Sequence, residues 1–115
     1  MGDSSHSFEA YFKRATSPLA VLRYLTERPM YGYEISQAMK EASGGRFTIA
    51  VLYPILYRLE EQGYIQVERT EVINNRARSY YAITAAGRDY LSKSVREYRQ
   101  ITGAFEAIME GCDGV

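Results

Sequence analysis

The spacing of apolar residues divides the chain into helices, a hairpin and a last long helix. Phe8, Tyr11, Phe12 and Ala15 recur at i, i+3, i+4 and i+7, which places them on one helical face. Thr16, Ser17 and Pro18 interrupt that face. Serine suits an N-cap and proline a first helical position, so a second helix is predicted to open at Pro18 and run through Leu19, Leu22 and Leu25 to about Glu27. One continuous helix from 8 to 27, kinked at Pro18, is the alternative. After Pro29, the run Tyr31, Gly32, Tyr33 reads as a turn, and Ile35, Ala38, Met39 and Ala42 resume helical spacing until Ser43, Gly44 and Gly45 end it. Thr48 suits the N-cap of a third helix, whose Leu52, Ile55, Leu56 and Leu59 form one stripe before Gly63. At about 100° per residue, Ala50, Pro54, Tyr57 and Glu61 lie opposite that stripe, with Tyr53 to one side. Pro54, inside this helix, is expected to bend its axis.

The period then changes. Ile65 and Val67 alternate with polar residues, as do Tyr81 and Ile83, which predicts a two-stranded hairpin with one buried face. Its loop is expected to be long and arginine-bearing, with Asn74 and Asn75 as turn formers at the tip. Of the neighbours Tyr80 and Tyr81, alternation assigns one to the core. From Thr84 to about Glu110 the chain is helical again, and Leu91, Val95, Tyr98, Thr102, Phe105 and Met109 step by 4, 3, 4, 3 and 4. Ile101 and Ile108 widen this heptad seam beyond what a lone amphipathic helix leaves in water. The expected interface is that of a homodimer, made by Leu91, Val95, Tyr98, Ile101, Phe105, Ile108 and Met109 with Phe8, Tyr11 and Phe12 beside them. The fold class predicted is α+β, mainly α, a winged helix-turn-helix with a long C-terminal dimerisation helix. Its parts are a helical extension over 1–17, the winged domain over 18–83, the dimerisation helix over 84–110 and a flexible tail over 111–115.

Composition adds exclusions. The longest apolar stretches fall short of the ~20 residues of a membrane span. The polar opening MGDSSHS lacks the apolar core of a secretory signal, so a cytoplasmic, membrane-free protein is expected. Cys112 is the one cysteine, which excludes an internal disulfide. His6 is the one histidine, no Ser/His or Cys/His pair has a useful spacing, and no carboxylate and histidine cluster resembles a metal site. Gly32, Gly44, Gly45 and Gly63 are spaced as turns and caps rather than as a phosphate-cradling loop. No catalysis, cofactor or metal is expected. Fourteen basic residues balance fourteen acidic ones, so net charge does not point to nucleic acid. The distribution does: Arg69, Arg76 and Arg78 fall near the hairpin tip with only Glu71 between them.

Three helices and a wing have a geometric consequence. A third helix held on a tri-helical core presents its N-terminal half to the major groove of double-stranded DNA, and the wing reaches the phosphates beside it. The candidate DNA contacts are therefore Thr48, Ala50, Tyr53, Pro54 and Tyr57 on the helix and Arg76 and Arg78 on the wing. The bland readings are a cap for Thr48, an exposed helix face for the tyrosines and solvated loop charges for the arginines. Three stretches, PMYGYEI (29–35), VLYPILYRLEEQGYI (51–65) and RSYYAITAAGRDYL (78–91), also resemble the signature segments of PadR-type transcriptional regulators. The resemblance covers about residues 18 to 100.

That resemblance implies a homodimeric repressor on a pseudo-palindromic operator, released by a small molecule or a stress signal. It also implies the small subfamily, in which the N-terminal and C-terminal helices cross their dyad mates. Tyr98 falls where multidrug-binding members carry a tryptophan that stacks flat ligands, and this chain has no tryptophan. A small aromatic effector held by Tyr98, Thr102 and Phe105 is the corresponding expectation, with plain packing as its alternative. A reading from another class also stands, a winged-helix module that docks protein without binding DNA. Salt dependence of DNA binding separates the two.

Overall fold

The computed structural model describes residues 6–48 and 52–112. Its elements run α1 (Phe8–Leu25), α2 (Gly32–Ala42), α3 (Leu52–Glu61), β1 (Ile65–Ile73), β2 (Arg76–Ile83) and α4 (Ala85–Met109). Ser7 caps α1, its hydroxyl accepting from the Ala10 amide at 3.1 Å. The helix then passes through Pro18 without a break, so the predicted second start at Ser17 and Pro18 is not taken. Proline removes one backbone donor, a cost of roughly 3 kcal/mol in a helix interior. Continuity buries Ser17, Val21, Leu22 and Leu25 on a single face, and the Thr16 hydroxyl gives the Phe12 carbonyl an added hydrogen bond at 2.7 Å. Burial of three aliphatic side chains, at ~1.5–3 kcal/mol each, outweighs the lost bond.

Tyr31 precedes α2, and the Glu34 carboxylate accepts from its amide at 3.2 Å. Gly32 is thus the first helical residue and not the middle of a free turn. At the other end, the Ser43 hydroxyl donates to the Met39 carbonyl and accepts from the Phe47 amide, both at 2.8 Å. In α3 Leu52, Leu56 and Leu59 of the predicted stripe are buried, and Ile55 packs half-buried beside them. Pro54 is the third residue of the described helix. A first-turn amide has no acceptor within its own helix, so the bend expected of an interior proline has no basis within this span.

The hairpin differs most from expectation. Its strands extend to Ile73 and Arg76, so the connection is the two residues Asn74 and Asn75, both left-handed at φ 53° and 63°. That is the mirror turn whose twist matches paired strands, and asparagine tolerates it. The long arginine-bearing loop is therefore strand. A register shift between Val67 and Arg69 marks a bulge, beyond which Arg69 faces Tyr80 and Glu71 faces Arg78. Of the two tyrosines Tyr81 joins the core, as alternation predicts, and Tyr80 is buried as well, outside it. Tyr81 faces the helices and exchanges backbone bonds with Met30 at 2.8 and 3.1 Å, while Tyr80 is covered on the other face by Tyr31 and Arg69.

Val21, Leu22, Ile35, Leu56 and Ile65 are the largest fully buried side chains and mark the centre of the core. Thr84 ties α4 to it, accepting from the Gly87 amide and donating to the Gly63 carbonyl. A Cβ at Gly87 would collide with the Tyr64 carbonyl oxygen, and Tyr64 stacks on Tyr90 at 4.3 Å. Gly87 is the only buried residue of α4. Its distal half carries its apolar seam away from the core. Among the described residues no helix is long and apolar enough to cross a membrane.

Candidate nucleic-acid interface

The recognition face is built from the buried side of α3 outward. With Leu52, Leu56 and Leu59 locked in the core, Tyr53 and Tyr57 are turned to solvent at 57% and 63% exposure, and Pro54 is exposed beside them. Thr48 is exposed at the end of the preceding loop; its expected capping role concerns residues that, like Ala50, lie outside those described. The phenol of Tyr81, beneath this face, is pushed above its ordinary range by burial, then by Glu60, Tyr57 and Tyr53.

Strand alternation puts Arg76, Arg78 and Tyr80 on one face of β2. Arg76 is exposed next to the turn. Arg78 is half-buried, with its guanidinium 4.8 Å from the Tyr31 ring centroid and Nη1 donating to the Tyr31 hydroxyl at 3.4 Å. Arg69, the third wing arginine, is committed within the wing: it donates to Glu71 at 3.0 Å, pairs with Glu68 at 3.5 Å and stacks on Tyr80 at 3.9 Å. The free positive charge of the wing is therefore Arg76 and Arg78.

The start of α2 joins helix and wing. Gly32 lies so close to Tyr53 that a Cβ there would stand 3.1 Å from its hydroxyl, while Tyr31 carries Arg78 and Tyr33 stacks on Tyr31 at 6.4 Å. Sequence reasoning took this stretch for a turn and overlooked Tyr31 and Tyr33. Two aromatic residues flanking a glycine were a signal for close approach, but nothing local linked them to an arginine 47 positions away.

The expected dimer residues lie on a second surface. Phe8, Phe105 and Ile108 are 77%, 52% and 75% exposed; Tyr11, Phe12, Tyr98, Ile101 and Met109 are exposed as well, and Leu91 and Val95 are half-buried against the body. Phe12 meets the edge of Tyr98 at 6.5 Å, so the two helices share one apolar surface. A groove of about 410 Å³ opens between α1 and α4, lined among others by Phe12, Leu19, Phe47, Leu91, Val95 and Tyr98. Of the expected effector residues only Tyr98 lines it. The Thr102 hydroxyl donates to the Tyr98 carbonyl at 2.7 Å, within its own helix, and Phe105 lies a further turn along. Sequence reasoning also missed Phe47, whose loop is held to α1 by the 2.6 Å ion pair of Arg46 with Glu9. Lys13, first, and Arg46 hold the Glu9 carboxyl below its ordinary range.

Comparison with known proteins agrees with this layout. Residues 21–93 match the model of the transcriptional regulator PadR-like family. The transcriptional regulator Rv3488 of Mycobacterium tuberculosis is 32% identical over 90 residues, 78% of this chain and 82% of that protein. A protein of Lysinibacillus sphaericus is 36% identical over 95 residues, 81% of this chain and 87% of its own length. Among solved structures, a transcriptional regulator from Clostridium thermocellum superposes with a TM-score of 0.80 at 26% identity, covering 87% of this chain and 99% of that one. A PadR family regulator from Eggerthella lenta has the same fold, with a TM-score of 0.78 at 24% identity over 88% of each chain.

Proposed function

Because the chain belongs to the PadR-like family of transcriptional regulators, we propose that it acts as a cytoplasmic homodimeric repressor, binding an inverted-repeat operator and leaving it when a small effector binds. The observation that carries this reading is the continuity of one surface. The outward side of α3 with Tyr53 and Tyr57, the start of α2, and the wing arginines Arg76 and Arg78 meet through Gly32 and Tyr31. The helix supplies groove contacts and the wing supplies charge for phosphates.

Dimerisation is supported by the apolar surface shared by α1 and α4, which continues to Ile108 and Met109 and stays exposed among the described residues. A two-fold arrangement presents two identical faces, and these fit half-sites related by the same symmetry. Repression needs only occupancy of the operator. An effector shifts such a system by its differential affinity for two arrangements of the dimer, and the groove at Phe12 and Tyr98 lies where the paired helices would have to move. DNase footprinting of the promoter of the protein's own gene tests the reading. Protection of an inverted repeat with half-site centres roughly 34 Å apart, one helical turn, is expected; absence of any protected repeat contradicts it.

A further inference from the structure

Tyr33 and Tyr53 keep phenol hydroxyls that form no hydrogen bond among the described residues, and both are exposed, Tyr33 at 62%. Gly32 lies between Tyr31 and Tyr33 and directly against the Tyr53 hydroxyl. On the other side, Tyr31 holds Arg78 by its ring and by its hydroxyl, and is itself fixed edge-on by Tyr80 at 5.2 Å. The nearby acids are occupied elsewhere. Glu34 accepts from the Tyr31 amide and from Arg28 at 3.1 Å, and Glu71, across the sheet from Arg78, is bonded to Arg69. Among the described residues, Arg78 pairs with no carboxylate, and one hydrogen bond to Tyr31 leaves most of its five donors open.

Because all three adjoin the Tyr31–Gly32 segment, we infer that Arg78, Tyr33 and Tyr53 form a seat for one DNA backbone phosphate, with Tyr31 as the residue that positions the arginine. The inference rests on the DNA-binding reading above and assigns it a specific anchor between recognition helix and wing. The two kinds of donor leave different signatures. A guanidinium on a phosphate displaces a condensed counterion, so it contributes to affinity and to its salt dependence. A phenol hydroxyl donates to the same phosphate without displacing an ion, so it contributes to affinity alone. Tyr31 carries no charge either, and its loss leaves the Arg78 charge in place while freeing its direction.

The experiment is an anisotropy titration of a labelled duplex of about 20 base pairs at several KCl concentrations between roughly 50 and 200 mM, with the parent, Tyr33→Phe, Tyr53→Phe, Tyr31→Leu, Arg78→Ala and the Tyr31→Leu, Arg78→Ala pair. Each phenylalanine variant keeps its ring, and with it the packing. Both are expected to bind about ten- to a hundredfold more weakly, the range of a single hydrogen bond to a charged group, with the parent's salt slope. Arg78→Ala is expected to make the slope shallower by about one. Tyr31→Leu weakens binding at unchanged slope, and adding it to Arg78→Ala costs nothing further, because its effect passes through the arginine. Parent-like binding by both phenylalanine variants overturns the seat, and so do Tyr31 and Arg78 losses that multiply. Should the parent itself bind no DNA in a salt-dependent way, the failure lies one step earlier, in the DNA-binding reading.

Discussion

Replacing Phe105 with alanine tests whether the seam of α4 holds the proposed dimer together. The side chain is 52% exposed in the single chain, on the distal half of the helix. An aromatic side chain buries roughly 200 Å² when fully covered, so about 100 Å² of Phe105 awaits a partner. At ~25 cal/mol per Å² this is about 2.5 kcal/mol per copy. Two-fold symmetry counts the loss twice, giving ~5 kcal/mol per dimer, or a dissociation constant weaker by roughly three to four powers of ten. Gln100 lies about 200° around the helix from Tyr98, and Gln100→Ala is the matched control with no expected effect. Sedimentation velocity across nanomolar to high micromolar concentration, with circular dichroism to confirm the fold, reads both. The parent should sediment as a dimer throughout and Phe105→Ala should dissociate within the range. A parent that stays monomeric at micromolar concentration, or a Phe105→Ala dimer as tight as the parent, refutes the assignment of this seam.

Three further outcomes are expected. Gly87→Ala should lower the melting temperature by several degrees, since the new Cβ meets the Tyr64 carbonyl and overpacking costs ~1–3 kcal/mol, whereas Gly103→Ala, with nothing within 4 Å, should raise it by relieving about 1 kcal/mol of helix penalty. Thermal melts of the two variants check both signs. Tyr81 has its pKa raised in the folded state, so folding favours its protonated form; its stabilisation is present below the unfolded tyrosine value of about 10 and is lost as pH rises above it. Urea titrations between about pH 9 and 11 should show stability falling, and Tyr81→Phe should flatten that limb. Planar aromatic compounds titrated against a preformed protein and promoter complex should lower DNA affinity, and Tyr98→Ala should abolish the response while leaving the dimer intact; an unaltered response in that variant would place the signal elsewhere.

How far the sequence could be read depended on the range of the interaction. Leu52, Leu56 and Leu59 betrayed the buried side of α3 by spacing alone, and the Tyr53 and Tyr57 face followed from it. Thr84 announced α4, whose cap it forms. At Pro18 a local rule predicted a boundary, and burial of Val21 and Leu22 on the same face overrode it. The hairpin was misjudged because polar strands exposed on both faces have the composition of a loop; only the two left-handed asparagines reveal that the strands continue to the tip. Burial of Tyr80 depends on Tyr31 from another element, and the anchoring of Arg78 on the same ring spans 47 positions. Such contacts leave no periodic trace. Tyr98 lies on the heptad seam and also lines a groove with Phe12 and Phe47, because α1 packs against α4 there; a single-sequence period cannot show which residues of another helix line it.

DNA recognition by helix and wing together is tested most directly by the salt dependence of binding to the protein's own promoter, compared between the parent and the Arg76→Ala, Arg78→Ala double variant. The parent's association constant should fall steeply with salt, by nearly one power of concentration for each phosphate neutralised. The double variant should bind more weakly to specific and non-specific duplexes alike, with a slope shallower by about two. A parent whose binding is absent or indifferent to salt, or a double variant with the parent's affinity and slope, would contradict the account and leave a winged helix that docks protein instead.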